Sequence, residues 1–298
     1  MPGSFRICLV EQFTNRLSSD QKEDLERNVT LNEIKSAVWD CGTNKSPGPD
    51  GFTFEFFRRY WKFFEQDIMA IVTEFFSSGV FPSGCNFSFI ALILKIQDAK
   101  VVYDFCPISL IGSLYKIITK ILSKRLSLVI SDLITDVQSA FVTNRQILDG
   151  PFILNELLSW CKHKKMKAMF FKVDFEKAFD SIRWDYLDDV VMMFGFDIKW
   201  RGWISGCLKS AMGSVLVNGN PTTEFQFHKG LKQGDPLSPF LFILVTESLH
   251  LSFRRVMDAG LFSGISINNS LTISNLFYAD DVVFVGSWGL AFEQKRLI

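Results

Sequence analysis

Apolar positions along this chain recur with two periods, near 3.6 and near 2 residues, in an irregular order. Thr30 precedes Leu31-Asn32-Glu33-Ile34-Lys35-Ser36-Ala37-Val38-Trp39, a hydroxyl cap ahead of an amphipathic run, and predicts a short helix. A proline- and glycine-rich turn follows at Asn44 to Gly51. Two aromatic-rich helical stretches are expected at about Phe54 to Phe64 and Asp67 to Ser77, then an apolar strand from Phe87 to Ile96. Residues 113–133 and 149–165 carry the pattern of longer amphipathic helices. From Met166 the texture changes. Ala168-Met169-Phe170-Phe171-Lys172-Val173 predicts a buried strand ending at Asp174, with a helix from Trp184 to Phe194 soon after. Gly213 to Val217, Asn218-Gly219 and Thr222 to His228 predict a hairpin, because Asn-Gly accepts the positive φ angles of a two-residue turn. Asp235-Pro236 reads as a cap and first-turn proline opening an apolar helix from Leu237 to about Met257. Leu271 to Tyr278 and Val282 to Val285 read as strands, with Ala279-Asp280-Asp281 at the reversal. Strands and helices mixed in this order, without repeats, predict an α+β fold rather than a doubly wound parallel sheet.

Composition narrows the function classes. The 298 residues are 48% hydrophobic and 21% charged, enough for one large core or two smaller ones. The formal net charge is zero, so any nucleic-acid surface must be a local patch. Lys116, Lys120 and Lys124 form one candidate patch, and Lys162, Lys164, Lys165 and Lys167 another, while solvated faces explain both equally well. The six cysteines contain no CxxC pair, which argues against a zinc ribbon or a disulfide framework and for a reducing intracellular compartment, nucleus or cytoplasm. Met1 to Val10 lack the apolar core of a signal peptide, and no uncharged apolar run nears the ~20 residues that span a bilayer, so no membrane partner is expected. The 31 phenylalanines are expected in the core, and His163, His228 and His250 have no spacing suited to a softer metal.

The candidate chemistry lies in carboxylates. Asp174 stands at the end of one predicted strand and Asp280-Asp281 at the tip of a later hairpin. Either alone is an ordinary turn feature. If the strands pair, the carboxylates converge at one sheet edge and repel each other unless cations neutralise them. Two Mg²⁺ ions about 3.5–4 Å apart would answer that need, one activating an attacking 3′-hydroxyl and one holding a triphosphate. Carboxylate oxygens are the hard ligands Mg²⁺ prefers, with Mn²⁺ able to substitute.

Three blocks resemble the palm motifs of reverse transcriptases, in the same order: Phe171-Lys172-Val173-Asp174-Phe175-Glu176-Lys177-Ala178-Phe179-Asp180-Ser181, Gly230-Leu231-Lys232-Gln233-Gly234-Asp235-Pro236-Leu237-Ser238-Pro239, and Phe277-Tyr278-Ala279-Asp280-Asp281. Upstream, Ser46-Pro47-Gly48-Pro49-Asp50-Gly51-Phe52, Pro107-Ile108-Ser109-Leu110 and Gln138-Ser139-Ala140-Phe141 resemble the fingers of the non-LTR, LINE-type retrotransposon enzymes found in plant genomes. The similarity covers roughly residues 30–288.

The resemblance implies a right-hand polymerase with an N-terminal extension (1–29), fingers (30–165) and a palm (166–298) built on an antiparallel sheet with packed helices, its thumb missing. It implies an RNA-directed DNA polymerase working on an RNA template, a DNA primer and deoxynucleoside triphosphates. Asp174 and Asp280 would bridge the metals, Asp281 would support the second, and the Phe175 carbonyl would lie near the triphosphate. Phe179 would be a steric gate against a 2′-hydroxyl, Gln233 and Gly234 would line the nucleotide, and Lys95 would reach its phosphates. Two departures stand out. Cys106 occupies the position before Pro-Ile-Ser-Leu where the family usually has arginine, and Leu94 stands where proline usually precedes the fingers lysine. A catalytically silent remnant that keeps the fold, and a maturase-like splicing protein sharing the palm, are the competing readings. No maturase segment follows in this sequence, and none resembles an endonuclease or a thumb.

Overall fold

Side-chain caps start the first two helices. At Leu31–Asp40 the Thr30 hydroxyl accepts from the Glu33 amide while the Glu33 carboxylate accepts from the Thr30 amide, a complete capping box. Ser18 and Gln21 repeat the device and open Ser19–Glu26, a helix whose hydrophobic pattern is too thin to announce it, since only Leu25 is buried.

The computed structural model describes residues 13–268 and 271–287. Met1 to Val10, and the part of the expected palm range beyond residue 287, lie outside the described residues. The two aromatic helices are Phe54–Arg59 and Trp61–Ser78, parted at Tyr60 and closed by Gly79 in the left-handed region (φ 71°). The stretch 113–133 is two helices, Ser113–Ser127 and Ile130–Leu133. Asp149–His163, Trp184–Met193, Ile198–Lys209 and Ser238–Asp258 complete the longer helices among the described residues. In chain order the strands are Phe87–Leu94 (β1), Phe105–Ile111 (β2), Ala168–Asp174 (β3), Met212–Val217 (β4), Asn220–Pro221 (β5), Phe225–Gln226 (β6), Ile265–Ser266 (β7), Thr272–Ile273 (β8), Asn275–Tyr278 (β9) and Asp281–Ser287 (β10). Among the described residues no helix is long and apolar enough to cross a membrane.

The chain forms two compact units, each discontinuous in sequence. Among the described residues, the first contains 13–16, Ile130–Ala178 and those from Phe242 onward. Its main sheet, ordered β3-β10-β9, is antiparallel throughout, and β7 pairs with β8. Leu157 and Cys161 of the helix Asp149–His163 pack with Ile265 and Val285, alongside Phe170. From the other parity of β10, Phe284 meets Phe253 of the helix Ser238–Asp258 at 4.5 Å between ring centres. Among the described residues β3 is an edge strand, and its second half is not buried: Phe171 is 56% exposed and Lys172 faces solvent. The apolar run predicted a buried strand, but an edge position leaves part of it uncovered.

The second unit contains Leu17–Val129 and Phe179–Leu241. Its sheet follows β2-β1-β4-β5, with β6 also on β4, and is mixed because β1 and β4 run parallel. The Asn-Gly turn forms as expected, with Asn218 at φ 52° and Gly219 at φ 80°. The return strand is not continuous from Thr222 to His228. It pairs at Asn220–Pro221, breaks after the proline, which has no amide hydrogen for the ladder, and resumes at Phe225–Gln226. Phe75, Tyr115, Phe194, Trp200 and Trp203 are fully buried here. Arg125 is buried too; its guanidinium donates to Glu33 and to the Leu25, Arg27 and Asn28 carbonyls, tying three segments to one side chain. Lys116 lies over the Phe54 ring and Lys124 bonds Ser36 and Asp40, so two members of that lysine row are engaged inside the unit.

Candidate active site

The aspartates meet through strand register. Val282 pairs with Val173, Phe284 with Phe171 and Val285 with Phe170, and this ladder sets Asp281 directly opposite Asp174. A one-residue slip would turn Phe170 and Val285 away from the core they share, so the core fixes the aspartate pairing. Residues opposed in an antiparallel ladder project to the same face with Cα atoms about 4.5–5.5 Å apart. Asp280 precedes Asp281 in the two-residue loop that joins it to its other register partner, Tyr278. Phe175, 38% exposed, follows Asp174 directly.

Lys172 joins this group, and the sequence reading did not single it out. It lies two residues before Asp174, on the same strand face, and its ammonium sits 2.9 Å from an Asp281 carboxylate oxygen. Its pKa is held above the ordinary lysine range, first by the hydrogen bond to Asp281, then by that carboxylate's charge, and further by Asp174 and Asp280. All three carboxylates therefore act on one cation. The period-2 rule was the available signal, since a lysine at i−2 must share its strand face with the aspartate.

These residues fit a hard divalent cation by donor type, by shared face and by the cation they already gather. Among the described residues, however, no three His, Cys, Asp or Glu side chains stand grouped at metal-holding positions; Lys172 is what engages Asp281. His250, the buried histidine of this unit, is no ligand: its ring bonds Asn275 at 2.9 Å, and burial pulls its pKa down to about 4.

The other predicted residues belong to the second unit. Lys95 follows β1, with its amide donating to the Asp104 carbonyl (2.8 Å) and its side chain exposed. Gln233 accepts from the Ser109 amide through its carbonyl (2.8 Å) and from the Cys106 thiol through its side chain (3.3 Å). Gly234 has φ 100°, and an added Cβ would stand 3.1 Å from the Ser109 carbonyl oxygen. A side chain at this position would crowd the protein's own backbone. The Phe179 carbonyl accepts from the Leu231 amide (2.9 Å). The loop holding Gln233 and Gly234 is anchored on either side. Lys232 is buried against Asn86 (2.7 Å) and the Tyr115 ring, its pKa pulled down by burial to about 8. Asp235, also buried, accepts from the Tyr115 hydroxyl (3.0 Å) and the Leu237 amide (3.1 Å).

The family model described as "Reverse transcriptase (RNA-dependent DNA polymerase)" matches residues 98–288. The chain is 32% identical over 269 residues to the transposon TX1 uncharacterized 149 kDa protein of Xenopus laevis, covering 90% of this chain and 20% of that protein. It is 28% identical over 275 residues to the retrovirus-related Pol polyprotein from type-2 retrotransposable element R2DM of Drosophila melanogaster, covering 89% of this chain and 25% of that protein. Over a shorter stretch of 67 residues it is 48% identical to an uncharacterized mitochondrial protein of Arabidopsis thaliana, covering 22% of this chain and 55% of that one. The chain spans a fifth to a quarter of the two long relatives. It belongs to the reverse transcriptase (RNA-dependent DNA polymerase) family, as a reverse transcriptase domain of the non-LTR retrotransposon type.

Proposed function

We propose that this chain is an RNA-directed DNA polymerase domain that extends a primer 3′-hydroxyl with deoxynucleoside triphosphates along an RNA template, with Asp174, Asp280 and Asp281 holding the divalent cations the reaction needs. The observation that carries this reading is the register match of Asp281 to Asp174 beside Asp280, with the Lys172 ammonium bonded to Asp281. Bound there, Mg²⁺ would neutralise triphosphate charge and ease loss of the hydroxyl proton. The protein's own part is to keep carboxylates side by side on one strand face, at solvent, where a triphosphate can reach them. Asp281 must exchange its ammonium partner for a metal, and the Phe175 carbonyl is the further oxygen beside Asp174. Lys95, Phe179, Gln233 and Gly234, the nucleotide contacts the resemblance implies, are separate proposals, each with its own variant. An intracellular site of action, nucleus or cytoplasm, goes with the same reading.

One observation favours a second reading, a folded relative without polymerase activity. Cys106 bonds Gln233 where the family resemblance leads one to expect a phosphate-gripping arginine. Primer extension on an RNA template with Mg²⁺ separates the two. Activity in the natural chain that Asp280→Asn removes supports the polymerase; activity only in Cys106→Arg supports a chain silenced at its nucleotide grip.

A further inference from the structure

We infer that Gln138 is a positioning residue for the Asp280-Asp281 turn, an inference that rests on the carboxylate assignment just proposed. The turn has a conformational problem. Ala279 adopts φ 50°, a left-handed backbone that a residue with a Cβ disfavours, and no glycine is present in the loop to relieve it. Backbone of this kind persists where its surroundings over-determine it.

Gln138 supplies that determination. Its side-chain oxygen accepts from the Ala279 amide at 3.1 Å and from the Ala140 amide at 2.9 Å, so both acceptor positions point at backbone N–H groups. Its side-chain nitrogen donates to the Thr246 hydroxyl (3.4 Å), which donates onward to the Ile243 carbonyl (3.0 Å) inside the helix Ser238–Asp258. The main chain is fastened as well: the Phe277 amide donates to the Val137 carbonyl (2.8 Å), and the Ser139 amide donates to the Phe277 carbonyl (3.1 Å). Gln138 is 2% exposed and Ala279 7%, so water has no room to replace the amide oxygen, and its loss strands a buried N–H. Gln138 touches the turn's backbone and neither carboxylate, so it acts on the metal ligands only through the turn.

The test is Mn²⁺ binding by the chain, followed through the paramagnetic signal of free Mn²⁺, together with thermal unfolding in its absence. Four chains are compared: natural, Asp281→Asn, Gln138→Met (similar in size, without the acceptor) and Gln138→Met with Ala279→Gly. Gln138→Met is expected to weaken Mn²⁺ binding about tenfold, the consequence of one lost buried hydrogen bond at the ligand turn. Ala279→Gly is expected to recover most of that loss, because glycine holds the left-handed turn without help. If natural and Asp281→Asn chains bind alike, the carboxylate assignment itself is wrong. If Asp281→Asn loses binding while Gln138→Met keeps it, only the role of Gln138 is overturned. Should Gln138→Met lower both stability and affinity with neither recovered by Ala279→Gly, Gln138 is merely a core residue.

Discussion

The Lys172 ammonium donates to Asp281 at 2.9 Å, so the carboxylate that faces Asp174 across the β3–β10 ladder already has a cation. A divalent ion must compete with that ammonium. Replacing Lys172 by methionine should therefore tighten Mn²⁺ or Mg²⁺ binding, roughly two- to fivefold given the weak energetics of solvent-exposed ion pairs. Calorimetric titration reads this directly. Weaker binding in the variant would mean that Lys172 assists the metal instead of opposing it.

Asp174 and Asp281 also repel each other, and like charges opposed across a ladder destabilise a sheet. Asp174→Asn should unfold at a slightly higher temperature than the natural chain when no divalent cation is present. It should also lose the upward shift that Mg²⁺ gives the natural chain, since only binding to the folded state stabilises it. Thermal unfolding of both chains with and without Mg²⁺ checks both halves, and a Mg²⁺ shift that survives the substitution counts against this ligand.

Glu247 should make stability depend on pH. It is buried; among the described residues one carboxylate oxygen has no hydrogen-bond partner, and the other accepts from the Thr135 hydroxyl at 3.2 Å. Burial raises its pKa to about 7 from 4.5, against the opposing pull of Thr135, Arg145 and Arg254. The folded chain thus holds a proton that the unfolded chain has released between these values. Its contribution is fully present below about pH 4.5, falls as pH rises towards 7, and is gone above it. Urea titrations of the natural chain and Glu247→Gln at pH 5 and pH 8 should diverge by on the order of 2–3 kcal/mol. Parallel behaviour of the two chains would argue against a protonated Glu247.

Arg125 ties together several segments of the second unit. Its buried guanidinium serves Glu33 and three backbone carbonyls, and a lysine can present charge but not that planar fork. Arg125→Met, which strands those acceptors, should cost about 3–5 kcal/mol in urea unfolding, with Arg125→Lys recovering only part of it.

Much of this was legible in the chain because the deciding physics is local. The cap at Thr30, the Asn218-Gly219 turn, a strand ending in Asp174 and a hairpin turn carrying Asp280-Asp281 are signals a few residues long. What stayed hidden depends on neighbours. Ile198–Lys209 was not anticipated, and its glycines show why local pattern is a poor guide there: a Cβ on Gly206 would run into the Gly79 carbonyl of the helix end it packs against. The exposed half of β3 was misread because an apolar run does not reveal that its strand lies at a sheet edge. Lys172 was given no role of its own, since its partner Asp281 is brought to it by the register of β10. The two units were equally hidden, since each is assembled from separate pieces of sequence.

Cys106 offers a probe of nucleotide binding. If Cys106→Arg restores a charge-assisted grip, worth roughly 1.5–3 kcal/mol, nucleotide use should improve about ten- to a hundredfold in kcat/KM. No improvement would mean that the Cys106–Gln233 contact is not the defect.

Primer extension on an RNA template with Mg²⁺, comparing the natural chain with Asp280→Asn, shows whether these carboxylates run the reaction. Extension by the natural chain that falls to background in Asp280→Asn, with unfolding temperature unchanged, is the result predicted. Equal extension by both would contradict the assignment of the reaction to these carboxylates.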